Sequence, residues 1–221
     1  MKDFDSPDLR ENEINGRISE KVKKRRSEII RIDMKVIETK RLVLRPWNEG
    51  DAGDFYEYAA DPEVGPSAGW AVHYNRDISG RILQRYIEDD DTWAVALKDC
   101  GKAIGCIGFH RDTIRPYDGV KMLGFVLNRA FWGKGYMPEA AQAAMGFGFD
   151  EMGLAVVSAY HYDFNTRSKR VLEKIGFAFE GIMRSAAALH DGTVVSRCCY
   201  SMTKDDYKLI KSKKLHGRIE R

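Results

Sequence analysis

The sequence predicts an α+β fold in which a central sheet is flanked by helices. From residue 35 onward, short β-prone runs alternate with stretches whose apolar residues recur at helical spacing. In addition, an apolar run over residues 120–127 leads, through a turn with two glycines, into an Ala-rich stretch over residues 136–152. Because the chain is long enough to bury one proper core, we predict a single domain over residues 34–215.

Residues 1–33 precede this domain and differ from it in composition. They contain a cluster of Lys and Arg between acidic neighbours, and a thin apolar stripe at helical spacing. We predict a charged helical extension that rests on its own domain or on the other subunit of a homodimer. The competing interpretation is a basic arm for an acidic partner. Met34 is an alternative start of the natural chain.

The first part of the domain predicts a strand, two helices and a hairpin, in that order. The strand covers residues 41–45, and the helices begin at the caps Asn48 and Asn75. A loop rich in Gly, Pro and Ser separates the two helices. Residues 92–97 and 103–109 are β-prone runs joined by a short turn with a glycine, which predicts a pair of antiparallel strands.

The second part of the domain begins with the strand over residues 120–127 and the helix over residues 136–152. Pro138 lies near the first turn of that helix, where its missing N–H does no harm. A strand over residues 154–161 and a short helix over residues 166–174 follow. We predict that the domain closes with two further strands, over residues 177–184 and 194–202.

The composition argues against several classes of function. The chain has 36 Lys and Arg against 33 Asp and Glu, and this net charge of +3 is spread out, so the basic stripe of a nucleic-acid binder is missing. Its four cysteines have neither metal-type spacing nor the framework of a secreted protein, so we expect reduced thiols and no metal. Without a long apolar run or a signal peptide, we expect a cytoplasmic protein that does not bind membranes.

The turn between the strand and the Ala-rich helix carries the first functional signal. Gly133 and Gly135 let the backbone approach a ligand closely, and Lys134 between them adds a positive charge. Free N–H groups and partial positive charge at a helix start suit a diphosphate. Pro138 stands where a Rossmann motif needs a third glycine, and the P-loop pattern is absent. A strand-to-helix turn without a ligand is the alternative.

Asn165 carries the second signal, because it can cap the next helix. Ser168 and Leu172 follow it at three and seven residues, so all three point to one side. Taken alone, the pattern favours a structural role, since Asn is a common cap and an exposed Ser is usually without function. Its position at a second strand-to-helix junction, matching that of the glycine turn, favours a shared ligand.

Three segments carry a resemblance to a known family. They are residues 37–46 (IETKRLVLRP), 132–140 (WGKGYMPEA) and 165–177 (NTRSKRVLEKIGF). Together they resemble the GNAT acetyltransferase superfamily, and the first is similar to the start of its ribosomal-protein N-terminal acetyltransferase branch. The resemblance implies a mixed, twisted sheet of about seven strands. Its fourth and fifth strands, residues 120–127 and 154–161 here, would splay apart to admit the pantetheine arm of acetyl-coenzyme A.

The resemblance also implies roles for individual residues. The backbone of the fourth strand would bind the pantetheine amides, the glycine turn would bind the diphosphate, Asn165 would bind the cofactor arm, and Ser168 would lie near the sulfur as the catalytic acid. The expected cofactor-binding residues are Phe125, Val126, Leu127, Gly133, Lys134, Gly135, Tyr136, Asn165 and Ser168. Many relatives carry a tyrosine acid at the place of Leu172, so the chain matches the serine variant of the branch.

The expected reaction is direct attack of a neutral amine on the thioester, with a backbone N–H near Val126 stabilising the oxyanion. Met122 occupies the place where the family often has a glutamate base. His110 and His161 are the remaining polar candidates, although a lone histidine at a strand end is more often structural. In the final hairpin, Ser196 replaces an aspartate that the branch often has, which leaves the acceptor open.

We therefore predict an acetyl-coenzyme A-dependent N-acetyltransferase whose acceptor is a primary amine of a protein N-terminus or a small molecule. A site without an obvious base suits an α-amine, because keeping it neutral at pH 7 costs about 1 kcal/mol, against about 4.6 kcal/mol for a lysine-like amine. Two alternatives stay open, namely a polyamine or antibiotic amine acetyltransferase and a catalytically silent sensor of acyl-coenzyme A.

Overall fold

The structure, a computed structural model, describes residues 34–219, with side chains described up to residue 213. The predicted helical extension over residues 1–33 lies outside the described residues. The strands are β1 (Ile37–Glu38), β2 (Leu42–Arg45), β3 (Thr92–Leu97), β4 (Ala103–Arg111), β5 (Val120–Leu127), β6 (Val156–Tyr162), β7 (Ala178–Ala188) and β8 (Val194–Thr203). The helices are α1 (Ala52–Ala59), α2 (Gly65–Ala68), α3 (Arg76–Asp89), α4 (Tyr136–Gly146), α5 (Thr166–Ile175) and α6 (Lys204–Ile219).

Within residues 34–219, eight strands form one sheet in the order β1-β2-β3-β4-β5-β6-β8-β7. Neighbouring strands are antiparallel except for β5 and β6, which run parallel. The predicted α+β fold with a mixed sheet flanked by helices is therefore confirmed. The sheet has one strand more than predicted, because Ile37 pairs with Leu44 and adds the two-residue strand β1 at the edge.

Two helices are additional to the prediction. α2 lies in the loop that is rich in Gly, Pro and Ser, where Pro66 is tolerated in the first turn of a helix and Gly69 ends the helix in the left-handed region at a φ of 89°. α6 follows β8 directly and begins with two acidic residues in its first turn. The predicted helix over residues 136–152 is α4, which continues as a π-helical turn over Phe147–Glu151.

The predicted caps are present. The side chain of Asn48 accepts a hydrogen bond from Gly50 N at 2.9 Å, and that of Asn75 accepts one from Ile78 N at 3.1 Å. These bonds satisfy N–H groups that a helix start leaves free. The first of the two helices starts with a 3-10 turn, Glu49–Asp51, before α1.

β5 and β6 separate part of the way along their length. They pair over three residues each, Val120–Met122 with Val156–Ser158, although β5 runs on to Leu127 and β6 to Tyr162. β5 stays paired with β4 through Leu127, and β6 stays paired with β8 through Tyr162. A cleft therefore opens between the two strands beyond Met122, as the resemblance implied for its fourth and fifth strands.

The sheet buries apolar side chains on both faces. One face carries Ala94 and Cys106 and packs against α1 and α3, where Trp47, Phe55 and Leu83 join the same cluster. On the other face, the fully buried Trp93 packs edge-on against Phe109 and Phe147, with ring centroids 6.1 and 5.3 Å apart. Such burial drives folding and fixes the sheet that carries the cleft. In the described part of the chain, every helix is too short or too polar to span a bilayer.

Candidate functional site

A cavity of about 640 Å³ occupies the cleft between β5 and β6. Residues 122–127 of β5 and 160–162 of β6 form its walls. The glycine turn closes it at one end, and the first turns of α5 close it on the side. A concave site at a break in a sheet is a common place for a ligand. Eight of the nine predicted cofactor-binding residues line this cavity, namely Phe125, Val126, Leu127, Gly133, Gly135, Tyr136, Asn165 and Ser168.

The glycine turn presents free hydrogen-bond donors. Gly133 and Gly135 have φ values of 73° and 78°, in the left-handed region that favours glycine. Within the described residues, the N–H groups of residues 133–137 donate no hydrogen bond to the protein. Successive free N–H groups at the start of α4 form a concave donor site for an anion. Lys134 lies outside the cavity lining, with its ammonium 5.4 Å from the centre of the Phe131 ring.

Arg41, from the start of β2, supports the glycine turn from behind. Its Nε donates to Glu139 Oε2 at 2.7 Å, its backbone N donates to Glu139 Oε1 at 2.8 Å, and its Nη1 donates to Lys134 O at 3.0 Å. The guanidinium also stacks over the Tyr136 ring at 4.2 Å. Burial raises the pKa of Glu139, but hydrogen bonds from Thr39 and Arg41 outweigh it and lower the pKa below its usual value. Glu139 therefore remains charged and holds the turn in place.

The second helix start is built around Asn165. Its Oδ1 accepts a hydrogen bond from Ser168 N at 3.1 Å, and its Nδ2 donates to Ser67 O at 2.8 Å. The amide thus caps α5 and ties it to α2. Among the described residues, the hydroxyl of Ser168 has no hydrogen-bond partner, and it lines the cavity. Leu172 is fully buried, so the position of the family tyrosine lies in the core.

Trp132 joins the two helix starts, a role that the sequence analysis did not assign. Its indole Nε1 donates to Leu127 O at 2.8 Å, which fixes the end of β5. Its ring lies 4.0 Å from the guanidinium carbon of Arg167, in the first turn of α5. Arg167 Nη2 also donates to Ser67 Oγ at 3.2 Å. No sequence pattern predicted the contact between Trp132 and Arg167, because the fold alone brings the two residues together.

The backbone of β5 faces the cavity beside a buried thiol. Burial raises the pKa of Cys106 to about 11, although the hydroxyls of Tyr58 and Tyr86 and the N–H of Val126 lie close enough to lower it in part. The thiol is therefore neutral near pH 7 and is no nucleophile. Val126 pairs with Cys106 across β5 and β4, and both residues line the cavity.

Among the histidines whose side chains the structure describes, His110 and His161 line the cavity. His161 is only 5% exposed, its Nδ1 lies 2.8 Å from Tyr162 O, and its ring packs 5.5 Å from that of Tyr200. His110 is partly exposed, and its Nδ1 lies 3.5 Å from Asp91 Oδ2. His73 is also buried but lies outside the cavity lining; its Nδ1 lies 2.8 Å from Ser79 Oγ, and burial lowers its pKa.

The charges in the cavity lining have one sign. Arg167, Arg170 and Lys174 of α5 contribute to the lining, whereas the described lining residues include no Asp or Glu. A cavity of this kind attracts a polyanion and gives no carboxylate partner to a polycation. Among the described residues, no group of three His, Cys, Asp or Glu side chains is arranged to hold a metal ion.

Comparisons with known proteins agree with this geometry. The profile of the acetyltransferase (GNAT) domain matches residues 41–178. The chain is 33% identical over 150 residues to the N-acetyltransferase YnaD of Bacillus subtilis, across 67% of this chain and 85% of that one. A GNAT-family acetyltransferase structure from Bacillus anthracis aligns with a TM-score of 0.71 and 26% identity, over 77% of this chain and 99% of that one.

A second solved structure shows the shared fold. The ribosomal-protein-S5-alanine acetyltransferase from Vibrio fischeri aligns with a TM-score of 0.66, over 78% of this chain and 98% of that one. Its identity to this chain is 21%, so the likeness concerns the fold alone.

Proposed function

The chain belongs to the GNAT acetyltransferase family and is an N-acetyltransferase, and from this premise we propose that it transfers the acetyl group of acetyl-coenzyme A to an α-amine. The acceptor would be a protein N-terminus or a small molecule. One observation carries the proposal. The cavity joins a row of free N–H donors to an unpaired serine hydroxyl through a cleft whose described lining includes no carboxylate.

The residues present fit acetyl-coenzyme A. The free N–H groups of residues 133–137 would hold the diphosphate, and the basic side chains of α5 would balance its remaining charge. The cleft beyond Met122 leaves one edge of β5 free for amide pairing with the pantetheine arm. Since the Asn165 amide already bonds Ser67 and Ser168 N, its part in binding would be limited to its remaining donor and acceptor capacity. When bound, this co-substrate supplies an activated acetyl thioester.

The chain's own residues would assist the transfer at two atoms. Ser168 Oγ would donate a hydrogen bond or a proton to the sulfur as the C–S bond breaks. A backbone N–H near Val126 would stabilise negative charge on the acetyl oxygen while the C–N bond forms. A hydroxyl is a weak acid, so most of the contribution of Ser168 would come from hydrogen bonding.

The chemistry of the lining supports an α-amine acceptor over a polyamine. A polyamine carries several positive charges and is best bound by carboxylates, which the described lining lacks. An α-amine loses its proton near pH 8, and the cost of neutralising it at pH 7 is about 1 kcal/mol. The Vibrio fischeri enzyme is named for an alanine of ribosomal protein S5, but the shared fold alone does not transfer that acceptor, so the cavity chemistry is what supports an α-amine.

The state of the cysteines supports a cytoplasmic location for this reaction. All four cysteines are free thiols, Cys106 being buried and Cys100 exposed. Reduced cysteines are typical of proteins of the cytoplasm. We assign the reaction to that compartment.

The test is thiol release from acetyl-coenzyme A with α-amino peptides, free amino acids and spermidine compared at equal concentration. We expect the highest kcat/KM with an α-amine. Faster release with spermidine would show that the acceptor is a polyamine and not an α-amine. No release with any amine, under conditions where the cofactor binds, would contradict the proposed transfer.

A further inference from the structure

His110 and Asp91 form a pair beside the point where β5 and β6 separate. His110 lies near the end of β4, directly across from Met122 of β5, and Asp91 directly precedes β3. Their side chains approach to 3.5 Å between Nδ1 and Oδ2. Thr92 Oγ1 donates to the other carboxylate oxygen of Asp91 at 2.7 Å, which fixes the orientation of the carboxylate. A carboxylate beside Nδ1 favours a proton there and leaves Nε2 as an acceptor.

The imidazole reaches the cleft because Gly124 has no side chain. A Cβ at Gly124 would lie 2.9 Å from both Nε2 and Cδ2 of His110, so the ring lies over the β5 backbone at this residue. Gly124 comes two residues after Met122, the last residue of β5 that pairs with β6. His110, Gly124 and Thr92 all line the cavity. Nε2 is therefore placed at the point where β5 and β6 begin to separate.

The groups around the pair keep Asp91 ionised. Burial raises the pKa of Asp91, but hydrogen bonds from His110 and Thr92 outweigh it and bring the pKa below its usual value, so Asp91 stays negative. The positive charge of Lys121 of β5 also lowers the pKa of Asp91. The titratable groups facing the pair from α3 and β4 are Tyr86 and Cys106. Both have a raised pKa and remain neutral.

We propose that His110 is the general base of the acetyl transfer and that Asp91 is its positioning residue. The inference rests on the proposed function. As the acceptor nitrogen forms its bond to the acetyl carbon and the C–S bond breaks, Nε2 of His110 takes the proton from that nitrogen, directly or through one water. The leaving sulfur receives its proton or hydrogen bond from Ser168. The pair thus supplies the base that Met122 does not, and we expect the distance of 3.5 Å to shorten when substrate binds.

His161 is less suited to this role. Its ring is 95% buried against Tyr200, and its Nδ1 faces the carbonyl of Tyr162 rather than a carboxylate.

The test compares His110→Gln with His190→Gln, which alters an exposed histidine in the turn between β7 and β8. For His110→Gln we expect kcat with an α-amine to fall by about 100-fold or more. The acid limb of the profile of kcat/KM against pH should disappear, and the acetyl-coenzyme A Kd should change less than about twofold. His190→Gln should match the wild type in all three measurements.

Two further variants separate a catalytic from a structural role. Asp91→Asn should lower kcat by about tenfold, since the carboxylate that orients the imidazole is lost, and it should leave the acetyl-coenzyme A Kd within about twofold. Gly124→Ala should displace the imidazole and reproduce the loss of kcat without loss of cofactor affinity, which keeps the proposal testable if His110→Gln folds poorly. An aromatic amine acceptor, already neutral at pH 7, should shrink the defect of His110→Gln to less than about tenfold.

The outcomes distinguish this inference from the proposed function. An active wild type together with a fully active His110→Gln, or with equal losses of rate and cofactor affinity, would overturn the role of His110 alone. A wild type that binds acetyl-coenzyme A and acetylates no α-amine would overturn the proposed function itself.

Discussion

The guanidinium of Arg167 stacks on the indole of Trp132, with 4.0 Å between its central carbon and the ring centre. Trp132 opens the glycine turn and Arg167 lies in the first turn of α5, so this contact joins the two helix starts that face the cavity. The indole also bonds Leu127 O at the end of β5. Three walls of the cavity are thereby held together before any ligand binds, which lowers the cost of binding.

Removing the stack should weaken cofactor binding. We expect Arg167→Ala to raise the acetyl-coenzyme A Kd by about five- to tenfold, because both a charge and a cation–π contact are lost. Arg167→Lys keeps the charge but not the planar stack, and it should recover only part of the affinity. Calorimetric titration at low and at high salt measures both effects. Equal Kd values for all three proteins would show that the stack does not shape the cofactor site.

The glycine turn can be tested against a glycine with the same backbone geometry elsewhere. Gly133 and Gly192 have φ values of 73° and 85°, and an added Cβ would meet no protein atom at either position. We expect Gly133→Val to weaken acetyl-coenzyme A binding by at least about tenfold, because its side chain and backbone strain disturb the free N–H groups. Gly192→Val, in the turn between β7 and β8, carries similar strain and should leave the Kd unchanged.

The melting temperature of both glycine variants provides the internal check. The strain of a β-branched residue at positive φ should lower stability by about 1–2 kcal/mol in each. Equal loss of affinity in both variants would mean that the turn does not contact the diphosphate.

Ser168 should act on turnover rather than on binding. We expect Ser168→Ala to lower kcat by about tenfold and to leave the cofactor Kd within about twofold, since a hydroxyl aids the leaving sulfur mainly in the transition state. Ser168→Thr should retain part of the rate. Thr166→Ala, at an exposed residue two positions earlier in α5, is the matched control. Full activity of Ser168→Ala in a thiol-release assay would remove Ser168 from the reaction.

Glu139 should stabilise the glycine turn in a pH-dependent way. The folded protein lowers its pKa from 4.5, so its contribution is present above that value and is lost as the pH falls through the folded pKa. We expect Glu139→Ala to reduce the free energy of unfolding by about 2 kcal/mol at pH 7. Urea unfolding at pH 7 and pH 3 should show the difference from wild type shrinking at pH 3.

Glu151 provides the control for that measurement. It forms an exposed ion pair with Lys35, and its side chain is 47% accessible. Surface pairs of this kind contribute at most about 1 kcal/mol. A destabilisation of Glu151→Ala as large as that of Glu139→Ala would contradict a special role for the contact with Arg41.

Much of the fold was predictable because it is encoded locally. The strand over residues 120–127, the glycine turn and the helix that follows depend on neighbouring residues, and the structure has them where the pattern placed them. The two-residue strand β1 was not predictable, since so short a run shows no period of its own. The helix α2 was missed because its Gly/Pro/Ser composition is typical of a loop.

The contacts that support the site could not be predicted from the sequence, because they join residues far apart in the chain. Arg41 and Glu139 are 98 residues apart, and the bond between them exists only because β2 passes behind the glycine turn. The approach of His110 to Gly124 depends in the same way on the register between β4 and β5. Asn165 was predicted correctly as a cap, whereas the bond from its amide to Ser67 appears only once α2 is known.

The most direct measurement is calorimetric titration of the full chain with acetyl-coenzyme A at two temperatures. We predict a single site per chain, a Kd on the order of micromolar and a negative heat-capacity change from burial of the pantetheine arm. No heat at either temperature would contradict the central claim that the glycine turn and the cleft beyond Met122 form a site for this co-substrate.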